Sequence, residues 1–144
     1  MATESPKKKG LSLKKMLHES LIIDLNNSKD VHVLTTKFAV SAKGRKAVIG
    51  TCQSAPKKNG EKSEKYKCSI IGLEDEGPLS AQKCQVSCPC QRFTFYFEYA
   101  LAKKGAAKIK YSNGEPPHVT NPALATGICK HLIALAKELT KKKL

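Results

Sequence analysis

Tryptophan is absent from this sequence, and aromatic residues of all kinds make up only 6% of it. With 40% apolar residues over 144 positions, the chain can bury a modest core of one domain, and few of its side chains carry a large ring. Small cores of this kind commonly need a staple, and a structural metal is one of the usual kinds. No apolar run approaches the ~18–20 residues of a membrane span, and the opening MATESPKKKG lacks an apolar signal-peptide core. Membrane contact and secretion are therefore not expected. Also missing are a carboxylate pair, a nucleophile–base set and a phosphate-cradling glycine loop. No enzyme activity and no small-molecule substrate are expected.

Acidic residues are scarce as well. There are 12 against 26 basic ones, which leaves a net charge of +14 and favours polyanionic partners. Only Arg45 and Arg92 are arginines; the other 24 positive residues are lysines. Lysine is a hydrated point charge and lacks the planar fork that reads guanine edges. Contact with DNA or RNA would thus run through phosphates, be sensitive to salt and show little sequence preference. The lysines best placed for nucleic acid or an acidic partner are Lys7, Lys8 and Lys9, then Lys57 and Lys58, and finally Lys141, Lys142 and Lys143.

The pattern along the chain predicts an α+β fold. Residues 1–10 read as a flexible basic arm, 11–80 as a short helix plus an antiparallel β unit, and 81–144 as a unit ending in an amphipathic helix and a Lys-rich tail, packed with the first as one domain. Ser12 is the candidate cap of the first helix, which would bury Leu13, Met16 and Leu17; LIIDL either extends it or begins a strand. Val31, Val33 and Thr35 alternate, then Phe38 and Val40 do so, giving a strand. GRKAVIGTCQS returns after a turn at Lys43–Gly44, and YKCSIIGL and QKCQVSCPC are a third and fourth strand. In QRFTFYFEYALA, Phe93, Phe95, Phe97 and Tyr99 recur at period two, which predicts a strand whose aromatic row is core, or alternatively a base-stacking platform. AAKIKYS is a candidate returning strand. The last helix should bury Ile128, Leu132, Leu135 and Leu139, with Ile133 and Ala136 beside them.

Six cysteines in a chain without a secretion signal point to metal or burial in a reducing, cytosolic setting before disulfides. Two pairs stand out: Cys88 and Cys90 in SCPCQ, and Cys129 and His131 in GICKH. Structural zinc takes four such ligands in a closed tetrahedron, commonly as two close pairs, and thiolates select zinc over hard cations. On a turning or extended backbone, residues i and i+2 point the same way, whereas in a helix they diverge by about 200°. Cys129 must therefore precede the final helix or open it, with His131 just inside and Gly127 giving backbone freedom upstream. Cys84 is a spare that could replace a ligand. Cys88–Cys90 could instead be a strained redox pair. Cys52 and Cys68 read as core thiols, His118 as a loop residue, and His18 and His32 belong to no constellation.

C-P-C followed at a distance by C-K-H resembles the SWIM zinc finger, and the block SNGEPPHVTNPALATGICKHLIALAKEL resembles SWIM-bearing virion proteins of large tailed bacteriophages. The finger resemblance covers roughly residues 84–140, with a gap of 38 residues between Cys90 and Cys129 that is longer than is usual in the family. It implies a zinc-stapled ββα unit holding Zn2+ through Cys88, Cys90, Cys129 and His131, contact with DNA or protein, and no catalysis. The expected function is a zinc-binding structural protein of a virion, in the capsid, neck or tail, synthesised in the host cytoplasm and contacting other virion proteins and DNA. The alternative is a free nucleic-acid-binding accessory protein.

Overall fold

The alternating residues from Val31 onward become a meander of strands in the computed structural model, which describes residues 10–42, 44–56, 58–74, 77–107, 121, 124 and 126–142. Strands β2 (Val31–Val40), β3 (Lys46–Ser54), β4 (Lys65–Gly72) and β5 (Lys83–Ser87) pair antiparallel in sequence order. The two-residue β1 (Leu11–Ser12) adds to the free side of β5, giving a five-stranded sheet of order β1-β5-β4-β3-β2. The predicted β2–β3 turn closes through Gly44, whose φ of 86° suits a residue without Cβ. Strand β2 changes phase because its register shifts between Val33 and Thr35. The bulge moves the inward positions from odd to even numbers, so Val31 and Val33, then Phe38 and Val40, follow the predicted alternation while Thr35 turns to the other face.

One face of the sheet carries Val48, Gly50 and Cys52 of β3 and Cys68 and Ile70 of β4, and α4 (Lys130–Lys141) lies on it. The helix buries Leu132, Ile133, Leu135, Ala136 and Leu139, the predicted stripe. Gly50 sets the separation: a Cβ there would stand 2.5 Å from Leu135 Cδ1. Ahead of the sheet, Ser12 caps α1 (Leu13–His18) by accepting the Lys15 N–H at 3.1 Å, and Leu13 and Met16 are buried as expected. The ambiguous LIIDL is a second short helix, α2 (Ile22–Asn27).

The aromatic segment departs from expectation. Residues 91–92 are helical, Phe93–Phe97 form a π-helical turn, and α3 (Glu98–Lys103) continues it. The chain therefore runs strand, turn, helix where a ββα unit requires strand, turn, strand. Period two also fits a helix: residues two apart lie on nearly opposite sides, and residues four apart on one side. Phe93 and Phe97 thus point inward with Ala100 and Leu101, while Phe95 is 60% exposed. The aromatic row is half core, and the strong helix formers in EYALAK carry the helix onward. Neither the expected core row of four nor a flat stacking platform exists. The candidate strand AAKIKYS lies mostly outside the described residues, as do His118, the arm with Lys7, Lys8 and Lys9, and the sites Lys57 and Lys143.

The helical assignment is checked by two truncations followed by denaturant unfolding. Phe93→Ala should cost about 3–5 kcal/mol, as for a buried ring. Phe95→Ala should cost about 0.5 kcal/mol or less. Equal losses at both positions would restore the strand.

Candidate metal centre

Strand β5 ends at Ser87, and Pro89 turns the chain between Cys88 and Cys90. Cys90 then opens the next helical run. Its carbonyl accepts the Thr94 N–H at 3.0 Å, and its Sγ lies 3.4 Å from the Phe93 N–H donor. Cys129 stands in the same relation to α4. It is the N-cap, with extended backbone (φ −73°, ψ 166°), and its carbonyl accepts the Ile133 N–H at 2.9 Å. The extended cap residue and the second helical residue, His131, can thus face one point, as the one-residue spacing demanded. Two helix N-termini meet at the sulfurs, where their partial positive charge favours thiolate.

The four predicted ligands come together. The Sγ atoms of Cys88, Cys90 and Cys129 and a ring nitrogen of His131 all lie within 4.8 Å of one another, and all four side chains are buried. A tetrahedral site with metal–sulfur bonds of ~2.3 Å has ligand–ligand edges of about 3.8 Å, so a small contraction would seat an ion. Three sulfurs and an imidazole are a donor set for a soft or borderline cation. Cys84 is not in the set. It is buried against β1, where its Sγ lies 3.6 Å from the Leu11 carbonyl and burial pushes its thiol up to about 12.

The thiols differ sharply in acidity. Hydrogen bonds from Cys129 and then Cys88 hold Cys90 far below the ordinary thiol range. Burial, followed by the hydrogen bonds to Cys88 and Cys90, pushes Cys129 well above it.

Several supporting residues were missed by sequence reasoning. His131 turns Nδ1 toward Cys88 Sγ at 3.9 Å and Nε2 toward Ser54 Oγ of β3 at 3.3 Å. With Nδ1 as the ligand, Nε2 carries the proton and Ser54 Oγ accepts it, the outer-shell arrangement that fixes a ligating imidazole. The Tyr66 ring of β4 packs 4.8 Å from the imidazole. Just beyond Cys90, Arg92 forks onto Asp24 of α2 through bonds of 3.1 and 3.0 Å and stacks on Tyr96. Gly127 has a role other than the expected one. Its φ is not left-handed, but a Cβ would lie 2.7 Å from Ser20 Cα and 3.0 Å from the Glu19 carbonyl. The close approach lets Ser20 Oγ accept the Ile128 N–H at 3.2 Å, which seats the second ligand pair against the end of α1. Only the alternation in β3 and β4 could have flagged Ser54 and Tyr66 as inward-facing.

A cleft of about 660 Å³ reaches the centre's edge, lined by Cys90, His131, Tyr66, Ser54, Arg92 and Lys130 among others. Of the predicted contact lysines that are described, Lys58 and Lys141 are exposed, and Lys142 pairs with Glu138 at 3.3 Å. Compared with known proteins, the chain matches no family model, no curated protein and no solved structure.

Metal binding should release protons, since burial and hydrogen bonding push thiols such as Cys129 up and ligating cysteines must bind as thiolates. Affinity should accordingly rise with pH through neutrality. Titration calorimetry in buffers of different ionisation enthalpy reads the proton count. Cys129→Ser should abolish tight binding and loosen the fold around α4.

Proposed function

We propose that this protein is a zinc-stapled structural and binding protein, without catalysis of its own, in which the ion joins the β5 turn to the final helix. One observation carries the reading: three cysteines and a histidine from segments far apart in sequence converge, buried, on one point. Zinc is the ion we assign, because a Cys3His set with a fixed outer shell is a closed structural site and offers no open position to a substrate. The finer SWIM kinship rests on the C-x-C and C-x-H spacing, and the helix after C-P-C makes it a variant in shape. Residence in a phage virion is supported by the resemblance of residues 112–139 to such virion proteins. The experiment has two readouts. Purified protein should contain one zinc per chain by elemental analysis, and purified particles should contain the chain at fixed copy number by quantitative mass spectrometry. Zinc-free protein with unaltered folding would overturn the staple, and absence from particles would overturn the placement.

Contact with nucleic acid is favoured by a specific surface rather than by total charge. The sheet face turned away from α4 bears Lys37, Lys65, Lys67 and Lys83, along with Thr35, Thr51 and Ser69, and none of the five strands contains Asp or Glu. Its described strands place no Phe or Tyr on it, so it suits a phosphate backbone better than stacked bases. Fluorescence anisotropy with a mixed-sequence DNA duplex tests this. Replacing Lys37, Lys65 and Lys67 together with Gln should flatten the log K against log salt slope by about 2–3. An unchanged slope would assign any binding to the lysines outside the sheet.

A further inference from the structure

The β4–β5 register runs Gly72↔Cys84, Ile71↔Gln85, Ile70↔Val86 and Ser69↔Ser87. Continued by one residue, it sets Cys68 directly across from Cys88, where β5 gives way to the metal turn. The two sulfurs meet there, with Sγ atoms 3.3 Å apart and both side chains fully buried. Directly opposed residues of antiparallel strands have Cα atoms about 4.5–5.5 Å apart, within the ~4.4–6.8 Å that a disulfide bridges. Cys68 is not one of the four converging donors. It is a fourth thiol placed against one of them, in the position from which a sulfur can attack.

We propose that Cys68 and Cys88 form a site of reversible disulfide modification by hydrogen peroxide, which withdraws Cys88 from the metal donors. The proposal rests on the metal reading above. Cys90 is the one cysteine that lines the cleft, so it meets the oxidant first. Its sulfur bonds to one peroxide oxygen, the O–O bond breaks, and the other oxygen leaves as water after taking up a proton. The Cys90 sulfenic acid is then displaced by the Cys88 sulfur. A second water departs, and a disulfide closes across Pro89 alone, a tight ring. The Cys68 thiol attacks the Cys88 sulfur, forms the cross-strand disulfide and returns Cys90 as a thiol. In sum, two thiols give up two electrons and two protons, and one peroxide becomes two waters. Cys90, Cys129 and His131 remain, a three-donor remnant of a four-donor site. Reduction by a dithiol restores the fourth.

The test uses the full chain loaded with one equivalent of zinc and treated with limiting hydrogen peroxide. Zinc release is followed with a chromogenic chelator, and disulfides are located by non-reducing peptide mapping with fragmentation. The expected result is a Cys68–Cys88 link, one zinc released per link formed, and recovery of binding after dithiothreitol. Cys68→Ser and Cys68→Ala should both still bind zinc. After peroxide they should lack the cross-strand link and carry the Cys88–Cys90 disulfide in its place. A dominant Cys88–Cys90 or Cys90–Cys129 disulfide in the unmodified chain would overturn the proposal. A chain that takes up no zinc before oxidation would instead overturn the metal reading. The mapping would then still decide whether Cys68 and Cys88 couple.

Discussion

Three thiols and an imidazole held within 4.8 Å of one another, away from water, cannot be satisfied by one another. A thiol is a weak donor and a weaker acceptor, and gathering several thiolates without a cation would set like charges side by side in a medium that screens them little. Every layer of the molecule ends at this crowd. Strand β5 and the helical run after it supply one pair of donors, and the first turn of α4 supplies the other. Strands β3 and β4 supply Ser54 and Tyr66 against the imidazole. Helix α1 holds the approach to Cys129 through Ser20 and the missing side chain of Gly127. A cation at the centre would replace protons that satisfy the sulfurs poorly and would tie these pieces into one unit.

The surroundings are arranged to keep that point rigid. Arg92 and Asp24 brace the start of the aromatic helix against α2, with the carboxylate buried and the guanidinium partly in water. Burying a lone Asp would be costly, so the fork holds the helix start in one place. The π-helical turn from Phe93 to Phe97 admits one extra residue to the cycle and brings Thr94 and Glu98, along with Phe93 and Phe97, under cover.

Much of this was legible in the residues. Ser12, the strands from Val31 to Ser87, the buried stripe of α4 and the four donors all follow from local chemistry: a capping hydroxyl, alternation, a helical repeat and paired soft ligands. The aromatic segment was illegible for a definite reason. Phe93, Phe95, Phe97 and Tyr99 satisfy a period of two and also split into two opposite helical rows, and only the packing of Phe93 and Phe97 beside Leu101 decides between them. Gly127 was assigned the wrong freedom, because a sequence signals that a glycine is present but not what approaches it. Cys68 was read as a core thiol since its neighbour across the sheet depends on register, which the composition of β4 alone does not fix.

The bulge in β2 has a bearing on how copies of the protein behave toward one another. Among the described residues this strand is an edge of the sheet and runs ten residues, with Phe38 and Val40 at 42% and 56% exposure. A long, flat, apolar border would invite another sheet to extend it and so lead to aggregation. The extra residue near Leu34 breaks that border into two short runs of different phase and increases the local twist, and Lys37 places a charge along the second run. A small irregularity that first shows itself as a skipped beat in the alternation thus makes the described edge of the sheet a poorer template for another strand.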